Sequence, residues 1–273
     1  MKKNAYTGEL IAEFLGTMIL ILFGVGVVAQ VVTGGGPGPD SAAGNYDSIA
    51  WAWGIGVTMG VYVAARLSGA HLNPAVTIAL AAYKGFEWRK VGPFIAAQTL
   101  GAFVAGLIVR VTYADAIAKI DPGHTKATQG IWSTSPGAGI SIPTAFLDQI
   151  VGTAILVLVI FALTTAANNG PLSNMAPLLV GLLVVGLGMA WGSNAGYAIN
   201  PARDFGPRLA SFITGYGGAF ESANGPELYF WLPIIAPIIG GLIGGAIFRF
   251  MIEPYLPSDV ESVTSNPTGD TSS

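Results

Sequence analysis

The stretch Asn200-Pro201-Ala202-Arg203-Asp204 and its earlier counterpart Asn73-Pro74-Ala75 decide how this chain folds. A short apolar segment follows each triplet, 75–83 in the first case and 205–213 in the second. At about 1.5 Å per residue, ten helical residues extend about 15 Å, which is half of a hydrocarbon core about 30 Å thick. Neither segment can span a bilayer alone, but two such helices entering from opposite faces can meet at its centre.

Asn followed by Pro is a strong start signal for a helix. Asn is a favoured N-cap, and Pro at the first helical position loses no N–H that the helix needs. Once its oxygen caps the helix, each Asn has two amide N–H donors left to point elsewhere. A half-helix that begins at mid-membrane also places roughly half a positive charge there. Irregular backbone at this depth must be buried in protein or line a watery cavity. Together with the amide donors and the positive helix ends, this predicts a pore that holds neutral polar molecules and repels cations.

The composition is that of an integral membrane protein. Of the 273 residues, 52% are hydrophobic and only 10% are charged, whereas soluble domains carry about 25% charged residues. The sequence contains no basic patch of the kind that would indicate nucleic-acid binding. Cysteine is absent, and His71 and His124 are far apart, so we predict no disulfide, no metal site and no cofactor.

The hydropathy pattern predicts an all-α membrane protein with six transmembrane helices and two re-entrant half-helices. The first apolar run is too long for a signal peptide and contains Glu13, so we interpret it as a retained span. We predict a single channel domain, 1–252, and a disordered tail, 253–273, rich in Ser, Thr, Pro and Asp. The predicted spans are about 10–32, 48–67, 91–113, 143–166, 176–192 and 228–252.

The chain also contains an internal repeat. The segment Glu13-Phe14-Leu15-Gly16-Thr17 matches Gln149-Ile150-Val151-Gly152-Thr153, and the two Asn-Pro-Ala boxes match in the same register. Repeat one covers about 8–113 and repeat two about 143–252. Each has three spans, an odd number, so the second half must insert upside down, an architecture common among membrane transport proteins.

Positive charge predicts the orientation, because cytoplasmic loops carry an excess of Lys and Arg. One side of the six spans carries Lys2, Lys3, Arg66, Lys84, Arg89, Lys90 and Arg249. The other side carries Arg110, Lys119 and Lys126. We therefore expect both termini to be cytoplasmic.

Over about residues 8–252 the chain resembles the aquaporin, or major intrinsic protein, family, in particular its glycerol-conducting branch. Two Asn-Pro-Ala boxes in a chain of this length are very specific for that family, whereas one box alone marks an ordinary turn or helix start. The resemblance implies a multi-pass protein of the plasma (inner) membrane, a homotetramer with one pore per subunit, conducting glycerol, other small neutral solutes and water.

Arg203 is a candidate pore residue because it replaces Val76 of the first box. A charge at the centre of a membrane costs about 2.5–3.5 kcal/mol or more, so such a residue normally faces water or a partner. A salt bridge with Asp204 is the alternative. The resemblance implies that Arg203 is the constriction arginine, which grips hydroxyl or water oxygens and repels cations.

The resemblance assigns the other three constriction positions to Trp53, Gly188 and Tyr197. Water-selective relatives carry His where Gly188 stands, so this wall is expected to be empty. Trp53 and Tyr197, which replaces the more usual Phe, are expected to offer aromatic faces to the carbon chain of a polyol. From the residues alone, a place in an interfacial aromatic belt is the favoured interpretation of Trp53, since Trp51 is two positions away.

Further residues are carried over from the family. Five positions are of the glycerol-channel type, of which Asp204 and Arg208 can pair on the second half-helix and shape the nearby loops. Glu13 is expected to hold the first pore loop by accepting backbone N–H groups, and Gln149 replaces the matching glutamate that would hold the second pore loop. His71 either resembles the histidine of the family's cytoplasmic vestibule or is a packed loop residue. The five branch positions are Tyr113, Asp204, Arg208, Pro233 and Ile234.

These observations predict a passive channel for glycerol and similar solutes, together with water. The nearest alternative is a water-selective channel of the same fold, which Gly188, Trp53 and Asp204 argue against. An ion-coupled transporter would need more ionisable residues in the spans than Glu13 and Arg203. We predict no enzyme activity, because no nucleophile–base pair, metal cluster or phosphate-binding loop is visible in the sequence.

Overall fold

The computed structural model describes residues 5–35, 43–168 and 170–257. Within these ranges the regular structure is helical apart from one isolated bridge between Glu221 and Leu228. A π-helix, Phe248–Ile252, and a 3-10 helix, Glu253–Tyr255, extend the last span, and a 3-10 helix, Ala166–Asn168, follows the fourth. In chain order the α-helices are α1 (Ala5–Thr33), α2 (Tyr46–Ser68), α3 (Pro74–Tyr83), α4 (Trp88–Thr112), α5 (Ala114–Ile120), α6 (Lys126–Gln129), α7 (Ile142–Thr164), α8 (Ala176–Ala195), α9 (Pro201–Ile213) and α10 (Leu232–Ile247).

Six of the described helices are long and apolar enough to cross a membrane, which confirms the six predicted spans. The short helices α3 and α9 begin at the prolines of the two boxes, with Asn73 and Asn200 as their N-caps. Side-chain caps also begin other helices. Asn45 and Ser48 form a capping box at the start of α2, and Ser141 accepts the N–H of Thr144 at the start of α7.

The last span differs from the prediction at both ends. The backbone of 228–231 does not belong to α10, because Leu228 bridges to Glu221 and the N–H of Tyr229 is bonded to the carbonyl of Phe220. At the other end, the helical structure continues past residue 252, where Glu253 forms ion pairs with Lys84 and Arg249. Residues 258–273, the rest of the predicted tail, lie outside the described residues, as do Lys2 and Lys3.

The two halves of the chain interlock. Helices α1 to α4 form the first half and α7 to α10 the second, and α2 packs against α8 where the halves meet. Each half-helix packs on the last span of the other half: α3 lies against α10, and α9 lies against α4. The two half-helices also contact each other. Neither half therefore buries its own half-helix alone.

Glycine allows the closest helix contacts. A Cβ at Gly16 would lie 2.9 Å from the carbonyl oxygen of Gly60, and a Cβ at Gly244 would lie 2.8 Å from the carbonyl carbon of Ala154. Small residues at such points let membrane helices approach until their backbones touch. The first contact holds α1 against α2, and the second holds α10 against α7.

Candidate functional site

The two asparagine caps meet at the contact between the half-helices. Asn73 Oδ1 accepts the N–H of Ala75, and Asn200 Oδ1 accepts the N–H groups of Ala202 and Arg203. Each side-chain amide also donates across to the opposite loop: Asn73 Nδ2 to the Ile199 carbonyl at 2.9 Å, and Asn200 Nδ2 to the Leu72 carbonyl at 2.8 Å. Of the two amide N–H donors that each asparagine has left after capping its helix, one is therefore used to join the loops.

The loop before α3 is held by one buried carboxylate. Glu13 accepts the backbone N–H groups of His71 at 2.9 Å and Leu72 at 2.8 Å, and its remaining lone pairs take Ser68 Oγ and Gln98 Nε2. These contacts agree with the predicted role of Glu13. The ring of His71 contacts Thr77 Oγ1 and packs edge-on against Phe86, so this histidine is packed as well as lining a cavity.

The loop before α9 is held differently. Gln149 Oε1 accepts the N–H of Ile199 at 3.0 Å, as expected for the residue that replaces a glutamate. The N–H2 of Gln149 donates to Asp148 Oδ2 at 3.0 Å, and Asn194 Nδ2 donates to Asp148 Oδ1 at 2.9 Å. Asp148 was not among the predicted site residues. The feature of the sequence that could have identified Asp148 is a carboxylate within a predicted span, next to the neutral Gln149 that replaces a glutamate.

Both loops have the same strained backbone. In the first, Ala70 and Leu72 have positive φ angles of 52° and 50°, and in the second Tyr197 and Ile199 have 35° and 42°. Such angles are unfavourable for residues with a Cβ and persist only where surrounding contacts enforce them. Among the described residues, no protein donor reaches the carbonyl oxygens of 69–71 or 196–198. The hydrogen-bonding capacity of these carbonyls is therefore not used by the protein in the described part of the chain.

Two cavities lie on either side of one group of residues. The inner cavity has a volume of about 380 Å³ and is lined by both asparagine caps, both loops and an apolar wall that includes Val57 and Val184. The outer cavity has a volume of about 360 Å³ and is more polar, with Ser133 and Glu221 in its lining. Both cavities are lined by Trp53, Tyr197 and Arg203, so these three residues separate them.

The group between the cavities is built around Arg203. Its guanidinium lies over the ring of Trp53, with the Cζ atom 3.9 Å from the ring centroid. Trp53 is only 3% exposed whereas Trp51 is 48% exposed, so an interfacial-belt position for Trp53 is excluded. The Trp53 Nε1 and Tyr197 hydroxyl groups have no hydrogen-bond partner among the described residues.

The expectation of empty space beside Gly188 is wrong. A Cβ at this position would lie 2.9 Å from Cζ of Tyr197 and 3.2 Å from Cβ of Ala50, because the Tyr197 ring packs directly on the glycine. The Gly188 carbonyl accepts a hydrogen bond from the Tyr46 hydroxyl at 3.3 Å. Gly188 therefore sets where the Tyr197 ring lies. Tyr46, which was not among the predicted site residues, also lines the outer cavity.

Asp204 pairs with Arg208 and not with Arg203. The nitrogen-to-oxygen distance of the Asp204–Arg208 pair is 2.7 Å, and both side chains are 1% exposed. Asp204 also accepts the backbone N–H and hydroxyl of Thr134, and Arg208 donates to the carbonyls of Thr134 and Ala219. The pair thus joins α9 to two loops, as expected. The other branch positions, which line neither of the two cavities, are Tyr113, Pro233 and Ile234.

Comparison with known proteins gives the family. A family model described as "Major intrinsic protein" matches residues 1–248. The chain belongs to the major intrinsic protein family. Its multi-pass fold is therefore that of an integral membrane protein, with α3 and α9 as the re-entrant half-helices.

Individual major intrinsic proteins match over most of their length. The chain is 43% identical over 249 residues to "Aquaglyceroporin-2" of Rhizophagus irregularis, covering 89% of this chain and 77% of the relative. It is 40% identical over 268 residues to "Glycerol uptake facilitator protein" of Pseudomonas aeruginosa, covering 95% and 94%. A solved structure, the aquaglyceroporin from Plasmodium falciparum, has a TM-score of 0.81 at 34% identity and covers 91% of this chain and 98% of that one.

Proposed function

We propose that this protein is a passive channel for glycerol and similar small neutral solutes, that it also passes water, and that it excludes protons and other cations. The observation that carries the proposal is the Arg203 guanidinium over the Trp53 ring between two cavities. A charged donor beside an aromatic face suits a molecule with hydroxyl groups on one edge and carbon on the other. The names of two relatives that the chain covers well refer to glycerol transport, which supports this choice of solute.

In this proposal, the residues between the cavities form the selectivity constriction. Arg203 binds the hydroxyl groups of the solute, since in the described part of the chain no protein group hydrogen-bonds to its guanidinium. Trp53 and Tyr197 contact the carbon chain, and Gly188 positions Tyr197. Deeper in, the free carbonyls of the two loops accept hydrogen bonds from the solute, and the second N–H of Asn73 and of Asn200 donates to it.

Two positive barriers in series exclude cations. The N-terminal ends of α3 and α9 meet at the asparagine caps, and each end carries roughly half a positive charge. Arg203 adds a full charge between the cavities. We further propose a location in the plasma membrane, cytoplasmic termini and a homotetramer with one pore per subunit. The excess of Lys and Arg on one side and the family membership support these statements.

Light scattering on proteoliposomes tests the proposal. After a glycerol gradient is applied, vesicles with the protein should shrink and then re-swell as glycerol enters, whereas with an impermeant osmolyte they should only shrink. The glycerol flux should be electrically silent and insensitive to pH and sodium gradients. A current that scales with glycerol, or accumulation against its gradient, would contradict a passive channel. Water flux without glycerol flux would support the water-selective alternative.

Substitution of Arg203 tests the two-barrier model. Arg203→Val should permit at most a small proton leak, because the half-helix ends are deep and poorly screened. Arg203→Val combined with Asn200→Asp should leak cations clearly, since a carboxylate then lies between the half-helices. The readout is a pH-sensitive dye under a clamped potential, with the exposed Arg89→Gln as the control. A large proton current from Arg203→Val alone would show that Arg203 is the main barrier.

A further inference from the structure

The two loops that precede the half-helices are held by different kinds of side chain. In the first loop, the carboxylate of Glu13 directly accepts two backbone N–H groups, those of His71 and Leu72. In the second loop, the matching side chain is Gln149, which is neutral and, among the described residues, accepts a single loop N–H, that of Ile199. The backbone of the second loop is nevertheless just as strained, with positive φ angles at two non-glycine residues. A second source of support is therefore required.

Asp148 lies where it can supply that support. It is 5% exposed and accepts one hydrogen bond on each carboxylate oxygen, from Gln149 Nε2 at 3.0 Å and from Asn194 Nδ2 at 2.9 Å. These contacts fix the orientation of the Gln149 amide. Rotating it by 180° would put its oxygen against a carboxylate and its N–H2 against the Ile199 N–H, leaving neither contact favourable.

The contacts of Asp148 reach both ends of the second loop. Asn194 is in the last turn of α8, directly before the loop begins, and its carbonyl also accepts the N–H of Gly137. Ile199, reached through Gln149, ends the loop beside Asn200. Tyr197 lies between these two points and lines both cavities. One buried carboxylate thus ties the start and the end of the segment that carries a constriction residue.

We propose that Asp148 is a positioning residue for the pore: through Gln149 and Asn194 it supplies the negative charge that Glu13 supplies directly in the first loop, and so holds Tyr197 and the Ile199 carbonyl in place. An amide that donates to a carboxylate is polarised, and its oxygen becomes a better acceptor for the Ile199 N–H. The carboxylate thus lies one residue before the side chain that forms the hydrogen bond to the loop. This inference rests on the proposed glycerol channel.

A reciprocal exchange of the two side chains tests the relay. Asp148→Asn removes the charge and should lower glycerol permeability by about tenfold, the effect of one weakened charge-assisted hydrogen bond on the loop. Gln149→Glu alone places two carboxylates side by side and should also lower it. In the double variant D148N/Q149E, the carboxylate now at position 149 accepts the Ile199 N–H directly, while the amide now at position 148 donates to that carboxylate and accepts from Asn194. Glycerol permeability should return to within about twofold of the wild type.

The measurement is glycerol and water permeability of proteoliposomes that contain equal amounts of folded protein, with Asp115→Asn, an exposed carboxylate, as the control. Impairment of both single variants with recovery in the double variant supports the relay. An unchanged D148N, or a double variant no better than the singles, overturns it. If D148N is not recovered folded, recovery of folded D148N/Q149E supports the relay, and loss of both overturns it. A wild-type protein without glycerol flux would instead overturn the proposed function.

Discussion

At the scale of single residues, the charge that α9 presents depends on which of its two arginines forms an ion pair with Asp204. Arg203 and Arg208 both lie on this half-helix, and Asp204 lies between them in sequence. The carboxylate binds Arg208, one helical turn away, and both side chains are fully enclosed by loop carbonyls and Thr134. Because Asp204 is fully engaged, its charge does not neutralise Arg203 by direct contact. The guanidinium N–H groups of Arg203 therefore remain available in the space between the two cavities.

Gly188→Ala should lower glycerol permeability more than water permeability. The new Cβ would be 3.2 Å from Ala50, which is fixed to its helix, and 2.9 Å from Tyr197, so the Tyr197 ring is the group that must move. Overpacking of this kind costs about 1–3 kcal/mol, so the loss of glycerol flux should be about tenfold. Gly186→Ala on the same helix is the control, because a Cβ there meets nothing within 4 Å. Equal loss of both fluxes would show that Gly188 does not act in selectivity.

At the scale of elements, each half-helix depends on a strained loop in front of it. Local capping begins α3 and α9, whereas distant side chains bind N–H groups of the strained loops, those of His71 and Ile199 among them. For the first loop this support comes from α1, through Glu13, and for the second from α7, through Gln149. The long spans therefore do more than cross the membrane, since they also fix the loop geometry.

Glu13→Gln should destabilise the protein without changing its helices. The carboxylate accepts from four donors, and a glutamine would turn an N–H2 group toward some of them. Hydrogen bonds to a charged group contribute about 1.5–3 kcal/mol, which corresponds to a melting temperature lower by on the order of 5 °C in detergent. The exposed Glu87→Gln should leave the melting temperature unchanged. A Glu13→Gln protein as stable as the wild type would contradict this role.

The segment between α5 and α6 should lose stability in acid. Burial disfavours the charged form of Asp121, but hydrogen bonds from Thr128 and Thr125 outweigh this and lower its pKa below the ordinary value of 3.8. Since the folded-state pKa is the lower one, ionised Asp121 stabilises the fold above about pH 3.8 and this contribution is lost as the pH falls further. Asp121→Asn should flatten the acid part of the melting curve measured against pH, whereas Asp115→Asn should leave its slope unchanged.

At the scale of the whole molecule, the inverted halves place equivalent features on opposite faces. Helix α4 has 25 residues and a length of about 37 Å, so the segment before it and the segment after it lie on opposite sides of the membrane. In the described part of the chain, five Lys and Arg residues outside α9 lie on the side of the segment that precedes α4, and three lie on the other side: Arg66, Lys84, Arg89, Lys90 and Arg249 against Arg110, Lys119 and Lys126. The positive-inside rule therefore predicts that this side is cytoplasmic.

Thiol labelling measures this orientation directly, because the natural chain has no cysteine. Glu87→Cys introduces an exposed thiol directly before α4, and Lys119→Cys introduces one in α5, which follows α4. A membrane-impermeant maleimide applied to intact cells should label Lys119→Cys, and should label Glu87→Cys only after permeabilisation. The unmodified protein is the control for non-specific labelling. The opposite labelling pattern would place the termini outside.

The sequence predicted the parts of the fold that depend on local signals. Asn-Pro pairs begin α3 and α9, and apolar length identified the six spans. The contacts of Asn73 and Asn200 with the opposite loops could not be predicted, because their acceptors are more than a hundred residues away in the chain. The same holds for the Tyr197 ring on Gly188. The roles of the constriction residues remain predictions.

The hydrogen bonds that the two asparagine caps donate to the opposite loops have a consequence for biosynthesis. A chain emerging from the ribosome inserts α1 to α4 long before residues 199 and 200 exist. During that interval Asn73 lacks the Ile199 carbonyl that it binds in the finished protein, and the Leu72 carbonyl lacks its donor. Helix α3 likewise lacks α10, the span against which it packs. The contacts that complete the region between the half-helices therefore cannot form until translation has nearly ended.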